Sequence, residues 1–153
     1  TAAQLTCSCF NKQPWRFVFV YDPKQLEALR PALNKGNEWV FKASLIIAVC
    51  SQLERDCVVK EREYHLFDVG MAVGFMLLQA TELGLVAHPI AGFDSGKIKE
   101  VLGIPEEEHL IPIVNCGVHS TTIDPALSDW QKEAEVTRPP RLPLEEIVHH
   151  NHW

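Results

Sequence analysis

A segment near the N-terminus concentrates side chains that could contact a ligand. Residues 8–17 read SCFNKQPWRF and supply a hydroxyl, a thiol, amides and aromatic rings immediately before a run of aromatic and β-branched residues. Loops that lead into strands often carry ligand contacts because a rigid scaffold positions them. A polar turn with Trp15 filling the core explains the same residues, and residue chemistry alone favours that plainer interpretation.

Two further segments carry groups suited to binding. Residues 89–94 (PIAGFD) predict a loop in which glycine brings backbone N–H groups close to a ligand, although a simple turn after a strand explains the same pattern. Arg138 and Arg141 each carry a planar guanidinium, which binds phosphate through two parallel hydrogen bonds. The alternative is that both arginines are solvated charges on a proline-rich tail.

Neither a metal site nor thiol chemistry is predicted. His149, His150 and His152 lie near the C-terminus, but no carboxylate or cysteine accompanies them at zinc-ligand spacing. The five cysteines are an odd number without a C-x-x-C pair. This pattern predicts free thiols in a reducing cytoplasm rather than a disulfide framework.

Hydrophobic patterning predicts the strands and helices that position these segments. Asp22 and Pro23 begin one helix, and Asp94 or Ser95 begins another that Gly103 ends. The continuous apolar run at 44–50 is typical of a strand covered on both faces, so helices are expected on both sides of the sheet. The predicted elements are strands at 16–21, 44–50, 85–88 and 110–118 and helices from 23 to about 33, at 61–83 and from 95 to 102.

The predicted helix at 61–83 is apolar on two faces. One stripe contains Leu66, Val69 and Val73, and the other contains Phe67, Met71, Phe75 and Leu78. A helix of this kind must be buried, either centrally or in a subunit interface. Because Gly70 and Gly74 have no side chains, they would let another backbone approach closely.

The whole chain has the size and charge of one globular domain. It has 153 residues and a net charge of −6, which argues against a general binder of nucleic acid or anionic membranes. Its apolar runs are too short to cross a bilayer and no export signal is recognisable, so a cytoplasmic location is expected. We predict a single domain over 1–153, with the proline-rich residues 119–153 as an extended arm.

Five motifs in order resemble the FMN-dependent nitroreductase family. SCFNKQPWRFVFV resembles the N-x-QPW signature of that family. The later matches, in chain order, are NEWVFKA at 37–43, DVG at 68–70, the stretch from Gly84 to Asp94, and RLPLEEIV with the closing HHNHW. Together they cover essentially the whole chain.

The resemblance implies a fold and an activity. It implies an α+β fold with a mixed, mostly antiparallel sheet flanked by helices, forming an intertwined homodimer with one FMN in each of two interface clefts. The implied reaction is reduction of a small nitroaromatic or quinone-like acceptor by NAD(P)H through FMN. A related flavin enzyme that catalyses dehalogenation or flavin fragmentation stays open, as does a non-catalytic flavin-binding dimer.

The resemblance also implies the cofactor contacts. Residues of the first loop would touch the flavin of the neighbouring subunit, Asn37 its pyrimidine side, the 89–92 backbone its N5 atom, and the arginines its phosphate. No catalytic side chain is expected, since flavin N5 carries the chemistry. The predicted contacts are Ser8, Cys9, Phe10, Asn11, Gln13, Asn37, Pro89, Ile90, Ala91, Gly92, Arg138 and Arg141.

The start of the chain departs from the family pattern. Family members usually begin upstream with a helix and an arginine-rich segment that holds the FMN phosphate, whereas residue 1 here lies just before the QPW loop. Two explanations are open. The sequence omits an N-terminal segment, or the protein is a short variant that grips phosphate with its remaining cations.

Overall fold

The computed structural model describes all 153 residues and divides them into two compact units, Thr1–Thr121 and Thr122–Trp153. The first unit contains a four-stranded sheet, a small hairpin and three helices. Its strands are β1 (Arg16–Val20), β2 (Leu45–Ser51), β3 (Val58–Val59), β4 (Arg62–Glu63), β5 (Val86–Ile90) and β6 (His109–Gly117), and its helices are α1 (Pro23–Leu29), α2 (His65–Glu82) and α3 (Ser95–Leu102).

The main sheet has the order β1-β2-β6-β5, and every neighbouring pair is antiparallel. The inner strand β2 is buried along nearly its whole length. Its side chains alternate, with Ile47 and Val49 in the core on the α2 side and Ile46 and Ala48 in the core on the α1 and α3 side. The predicted α+β class, with helices covering both faces of the sheet, is confirmed.

The predicted caps of α1 and α3 are present in the structure. The Asp22 side chain accepts hydrogen bonds at 3.0 Å from the first turn of α1, and Asp94 accepts one at 3.1 Å from the Lys97 N–H of α3. α1 ends at Leu29 instead of continuing to residue 33, and a 3₁₀ turn that contains Pro31 follows it. Proline has no N–H to donate, so the α-helical hydrogen bonding stops there.

The predicted start of the long helix at residue 61 is wrong, because α2 begins at His65. Residues 58–63 instead form the β3–β4 hairpin, in which Val58 pairs with Glu63. Lys60 takes a left-handed φ of 59° in its turn. The charged residues before the helix fit its periodicity equally well, so the pattern could not locate the boundary.

Most of one apolar stripe of α2 is covered within the chain, although Leu66 at its start is 51% exposed, and the other stripe is largely uncovered. Val69, Ala72 and Val73 lie in the core, whereas Phe67 and Leu78 are 61% and 72% exposed. A Cβ atom built on Gly70 or Gly74 would meet no atom within 4 Å. Central burial of the whole helix is therefore wrong, and its second stripe lies open beside the two glycines.

The second unit, Thr122–Trp153, contains helices α4 (Asp129–Val136) and α5 (Leu144–Ile147). Ser128 and Gln131 form a reciprocal cap at the start of α4. Throughout the 153 residues, the helices are too short or too polar to cross a lipid bilayer.

Candidate functional site

The loop from Ser8 to Gln13 is tightly folded. Cys9–Asn11 form a 3₁₀ turn, and the Gln13 N–H donates to Ser8 Oγ at 2.9 Å. Phe10, Asn11 and Gln13 have φ values of 48°, 56° and 51°, a left-handed conformation that residues other than glycine seldom adopt. Such strain persists only where surrounding contacts hold it, and it is concentrated at functional sites.

Two contacts attach this loop to the body of the first unit. The Cys9 N–H donates to Asp68 Oδ2 of α2 at 2.7 Å, and Cys9 forms a disulfide with Cys57. The prediction that all five cysteines are free is therefore wrong, since only Cys7, Cys50 and Cys116 are free. Cysteine spacing in the sequence identifies pairs only between near neighbours. Cys9 and Cys57 are 48 positions apart, and folding brings their Cα atoms to 6.0 Å, a normal separation for a disulfide.

Buried carboxylates surround the disulfide. Asp68 is 2% exposed and Asp56 is 7% exposed. Burial raises the pKa of Asp68, the Cys9 N–H opposes that change, and the neighbouring Asp56 raises the pKa further. One Asp56 oxygen accepts from the Cys57 N–H at 2.8 Å, while Asp56 Oδ2 has no partner.

Sequence reasoning did not assign a role to either aspartate. The sequence offered one signal for Asp68: a charged residue within the apolar pattern of α2 is unusual and indicates a specific role. Both sulfurs and an Asp56 oxygen lie within 4.8 Å of one another, a grouping that could hold a metal ion. With the sulfurs joined in a disulfide, they are not available as thiolate ligands.

Asn37 and Gly92 meet at a second place. Asn37 Nδ2 donates to the Gly92 carbonyl oxygen at 2.9 Å, and the Asn34 N–H donates to the same oxygen at 3.0 Å. A Cβ on Gly92 would overlap Asn37 Nδ2, so glycine is needed for this approach. Trp39, in the same turn as Asn37, packs edge-on against the His88 ring of β5 at 5.3 Å between centroids.

The turn after β5 is shorter than predicted. Pro89 and Ile90 belong to the strand, so only residues 91–94 lie between β5 and α3. Proline is tolerated there because β5 is an edge strand, where a missing N–H leaves no partner unsatisfied. The amide N–H groups of Ala91 and Gly92 have no acceptor within the chain.

The two groups of predicted contacts lie beside opposite edges of the sheet. The Ser8–Gln13 loop precedes edge strand β1, and the Ala91–Gly92 turn follows edge strand β5. Two inner strands lie between them, so three strand spacings separate the edges by ~14 Å. The structure thus does not bring these two groups of predicted contacts together along the sheet of a single chain.

The remaining predicted contacts belong to the second unit. Arg138 and Arg141 are exposed in the irregular segment between α4 and α5. Near the C-terminus, the His149 ring packs against Trp153 with centroids 4.3 Å apart. The phosphate role of the two arginines stays a prediction.

The sequence is similar to those of known proteins. The family model described as Nitroreductase family matches residues 31–118. A Thermus thermophilus protein named NADH dehydrogenase is 25% identical over an alignment of 178 positions that covers 96% of this chain and 80% of that protein.

Two solved structures are also similar. A crystal structure described as an oxidoreductase containing FMN is 30% identical with a TM-score of 0.82, covering 99% of this chain and 78% of that one. A nitroreductase family protein from Clostridium difficile is 25% identical with a TM-score of 0.75, covering 99% and 82% of the two chains. The fold that the sequence motifs imply is confirmed.

Proposed function

Because this chain belongs to the nitroreductase family, we propose that it is an FMN-dependent oxidoreductase. In this proposal it passes a hydride from NADH or NADPH to a small nitroaromatic or quinone-like acceptor. The family supports oxidoreductase chemistry in general. The names of the relatives support the two cofactors: one is named an NADH dehydrogenase, and another is described as containing FMN.

The observation that carries the proposal is the polar edge formed by Asn37, Ala91 and Gly92. Two unpaired N–H groups point to hydrogen-bond acceptors in a ligand. Asn37 Nδ2 donates to the Gly92 carbonyl oxygen, so Asn37 Oδ1 would accept a hydrogen bond from a donor group of the ligand. A flavin ring presents alternating acceptors and an imide donor along one edge, so the chemistry of these groups fits FMN.

FMN, when bound, supplies the hydride chemistry at its N5 atom. The chain then has three tasks: to orient the ring through the Asn37–Gly92 edge, to exclude water, and to select the acceptor. None of these needs a side-chain general base. The absence of a glutamate at Ala91, where many classical family members have one, leaves the backbone donor in place.

We also propose that two copies of the chain complete each site. The Ser8–Gln13 loop beside the β1 edge and the Ala91–Gly92 turn beside the β5 edge would each form half of a site, and they lie at opposite edges of one sheet, so a partner would supply the missing half. Phe10 is 87% exposed in a left-handed conformation and has no support from its own core. The open stripe of α2 beside Gly70 and Gly74 supplies an apolar surface for the partner.

The visible spectrum of the purified protein is the first test. A flavin spectrum, either as purified or after reconstitution with FMN, supports the proposal. A colourless protein that cannot be reconstituted would instead favour a structural dimer. Light scattering at micromolar concentration tests the assembly, and a strict monomer would contradict the shared site.

Stopped-flow mixing tests the activity. One cleft cannot hold nicotinamide and an aromatic acceptor together, so we expect ping-pong kinetics. NADH or NADPH should bleach the flavin without acceptor, and menadione or a nitroaromatic should restore the absorbance. If dithionite bleaches the flavin but neither nucleotide does, the oxidoreductase proposal fails and a different flavin chemistry becomes the better account.

A further inference from the structure

We propose that Cys9 and Cys57 form a reversible dithiol–disulfide couple that controls the order of the Ser8–Gln13 loop. The proposal rests on the proposed function for its effect on FMN, because this loop is one half of the proposed site. The disulfide itself and the contacts around it are independent of that function. External dithiols are the chemical class that would reduce it.

The disulfide is the covalent part of the attachment of a strained loop. Three residues of the loop are left-handed, and the bond fixes its Cys9 end to the segment that leads into the β3–β4 hairpin. After reduction, the Cys9 N–H bond to Asp68 is the remaining tertiary hydrogen bond of the Cys9 backbone. Loss of the covalent link enlarges the set of conformations open to the loop.

The two sulfurs differ in their access to a reductant. Cys9 is half-buried, whereas Cys57 is 7% exposed. A thiolate from the external dithiol therefore attacks Cys9 Sγ, the Cys9–Cys57 bond breaks, and a mixed disulfide forms at Cys9. The second thiol of the reductant then attacks its own sulfur in that mixed disulfide, releasing Cys9 and leaving the reductant as a cyclic disulfide.

The exchange leaves Cys9 and Cys57 as thiols beside a buried carboxylate. An Asp56 oxygen lies within 4.8 Å of both sulfurs. Two electrons and two protons pass from the external dithiol to the protein, so the overall exchange balances without another reactant.

The first test counts thiols. The wild-type protein is equilibrated in buffers of reduced and oxidised dithiothreitol, quenched with acid, unfolded and alkylated. We expect three alkylated cysteines in oxidising buffers and all five in reducing buffers, with Cys9 and Cys57 changing together. Five reactive thiols under every condition would overturn the couple.

The second test follows the loop by limited trypsin digestion after Lys12, which is exposed. Cleavage should be about tenfold faster in the reduced protein, because a loop must open locally before a protease can cut it. Cys57→Ala should digest rapidly in both buffers, and Cys7→Ser, which changes an exposed free cysteine, should keep the difference. Equal rates for the oxidised and reduced wild type would overturn control of the loop.

The third test links the couple to the cofactor. The Kd for FMN, measured by quenching of flavin fluorescence, should rise about tenfold on reduction, because the preorganised loop is lost. Unchanged affinity for FMN in the two states would overturn the link to binding. If neither the oxidised nor the reduced protein binds FMN, the proposed function fails. The thiol count and the trypsin digestion do not depend on FMN, so they still test whether the disulfide is reversible and controls the loop.

Discussion

Asn37 and Gly92 are 55 positions apart in the chain, and a hydrogen bond of 2.9 Å joins the side chain of one to the carbonyl oxygen of the other. This contact fixes the 3₁₀ turn at Glu38–Lys42 to the turn after β5. It therefore brings the Asn37 side chain to the turn that carries the N–H groups of Ala91 and Gly92. The polar edge that we assign to the flavin exists because these two turns are held together.

We expect Gly92→Ala to lower the free energy of unfolding by about 1 kcal/mol, the usual contribution of one hydrogen bond. The new Cβ would displace the Asn37 amide, which is the mobile end of a side chain, so the fold should survive. Urea unfolding of Gly92→Ala, Asn37→Ala and the double variant measures the coupling. Purely additive losses would contradict this account of the contact.

We expect Gly74→Leu to weaken the proposed dimer without harming the single chain. Leucine has open space at this position and favours a helix by roughly 0.8 kcal/mol over glycine. Overlap with a partner helix should nonetheless raise the dimer dissociation constant by about tenfold or more. Sedimentation equilibrium measures this constant.

Gly96→Leu is the matched control for the dimer, since Gly96 is an exposed helical glycine on α3. It should leave the association unchanged. An unaltered dimer in Gly74→Leu would remove α2 from the interface.

We expect loss of FMN affinity in Arg141→Ala to exceed that in Arg138→Ala. Only Arg141 falls within the RLPLEE match. Removing a bidentate contact to phosphate should reduce affinity by about thirtyfold, equivalent to about 2 kcal/mol. Fluorescence titration with FMN compares the variants, and equal, negligible effects would show that this segment does not hold the phosphate.

The buried Asp68 should make stability depend on pH. Its pKa is raised on folding, mainly by burial, so between the ordinary carboxyl pKa and the raised one the folded chain holds a proton that the unfolded chain has lost. The free energy of unfolding should therefore fall as pH rises through this window.

Asp68→Asn should flatten that pH dependence. The amide keeps an acceptor for the Cys9 N–H and removes a carboxylate that is buried beside the like charge of Asp56, so stability at pH 7 should rise by about 1 kcal/mol. Urea unfolding of the disulfide-bonded wild type and variant at a series of pH values between 4 and 8 measures how the free energy of unfolding depends on pH. An identical slope in the variant and the wild type would assign the pH dependence to other groups.

Local patterns were sufficient for most of the elements. Caps such as Asp22 and Asp94 and the alternation in β2 act over a few residues, so they can be recognised in the chain alone. The segments that carry Asn37 and Gly92 could be named through motif resemblance. Their contact could not, because no local rule relates residues 55 positions apart.

Contacts between distant segments needed the folded chain. Packing, rather than spacing, pairs Cys9 with Cys57 and buries Asp56 and Asp68 beside them. The two apolar stripes of α2 cannot be distinguished in the sequence. Apolar periodicity shows which residues are hydrophobic, but it does not show which of them another element covers. Only the arrangement of the sheet and helices leaves Phe67 and Leu78 exposed and places the two groups of predicted contacts beside opposite edges of the sheet.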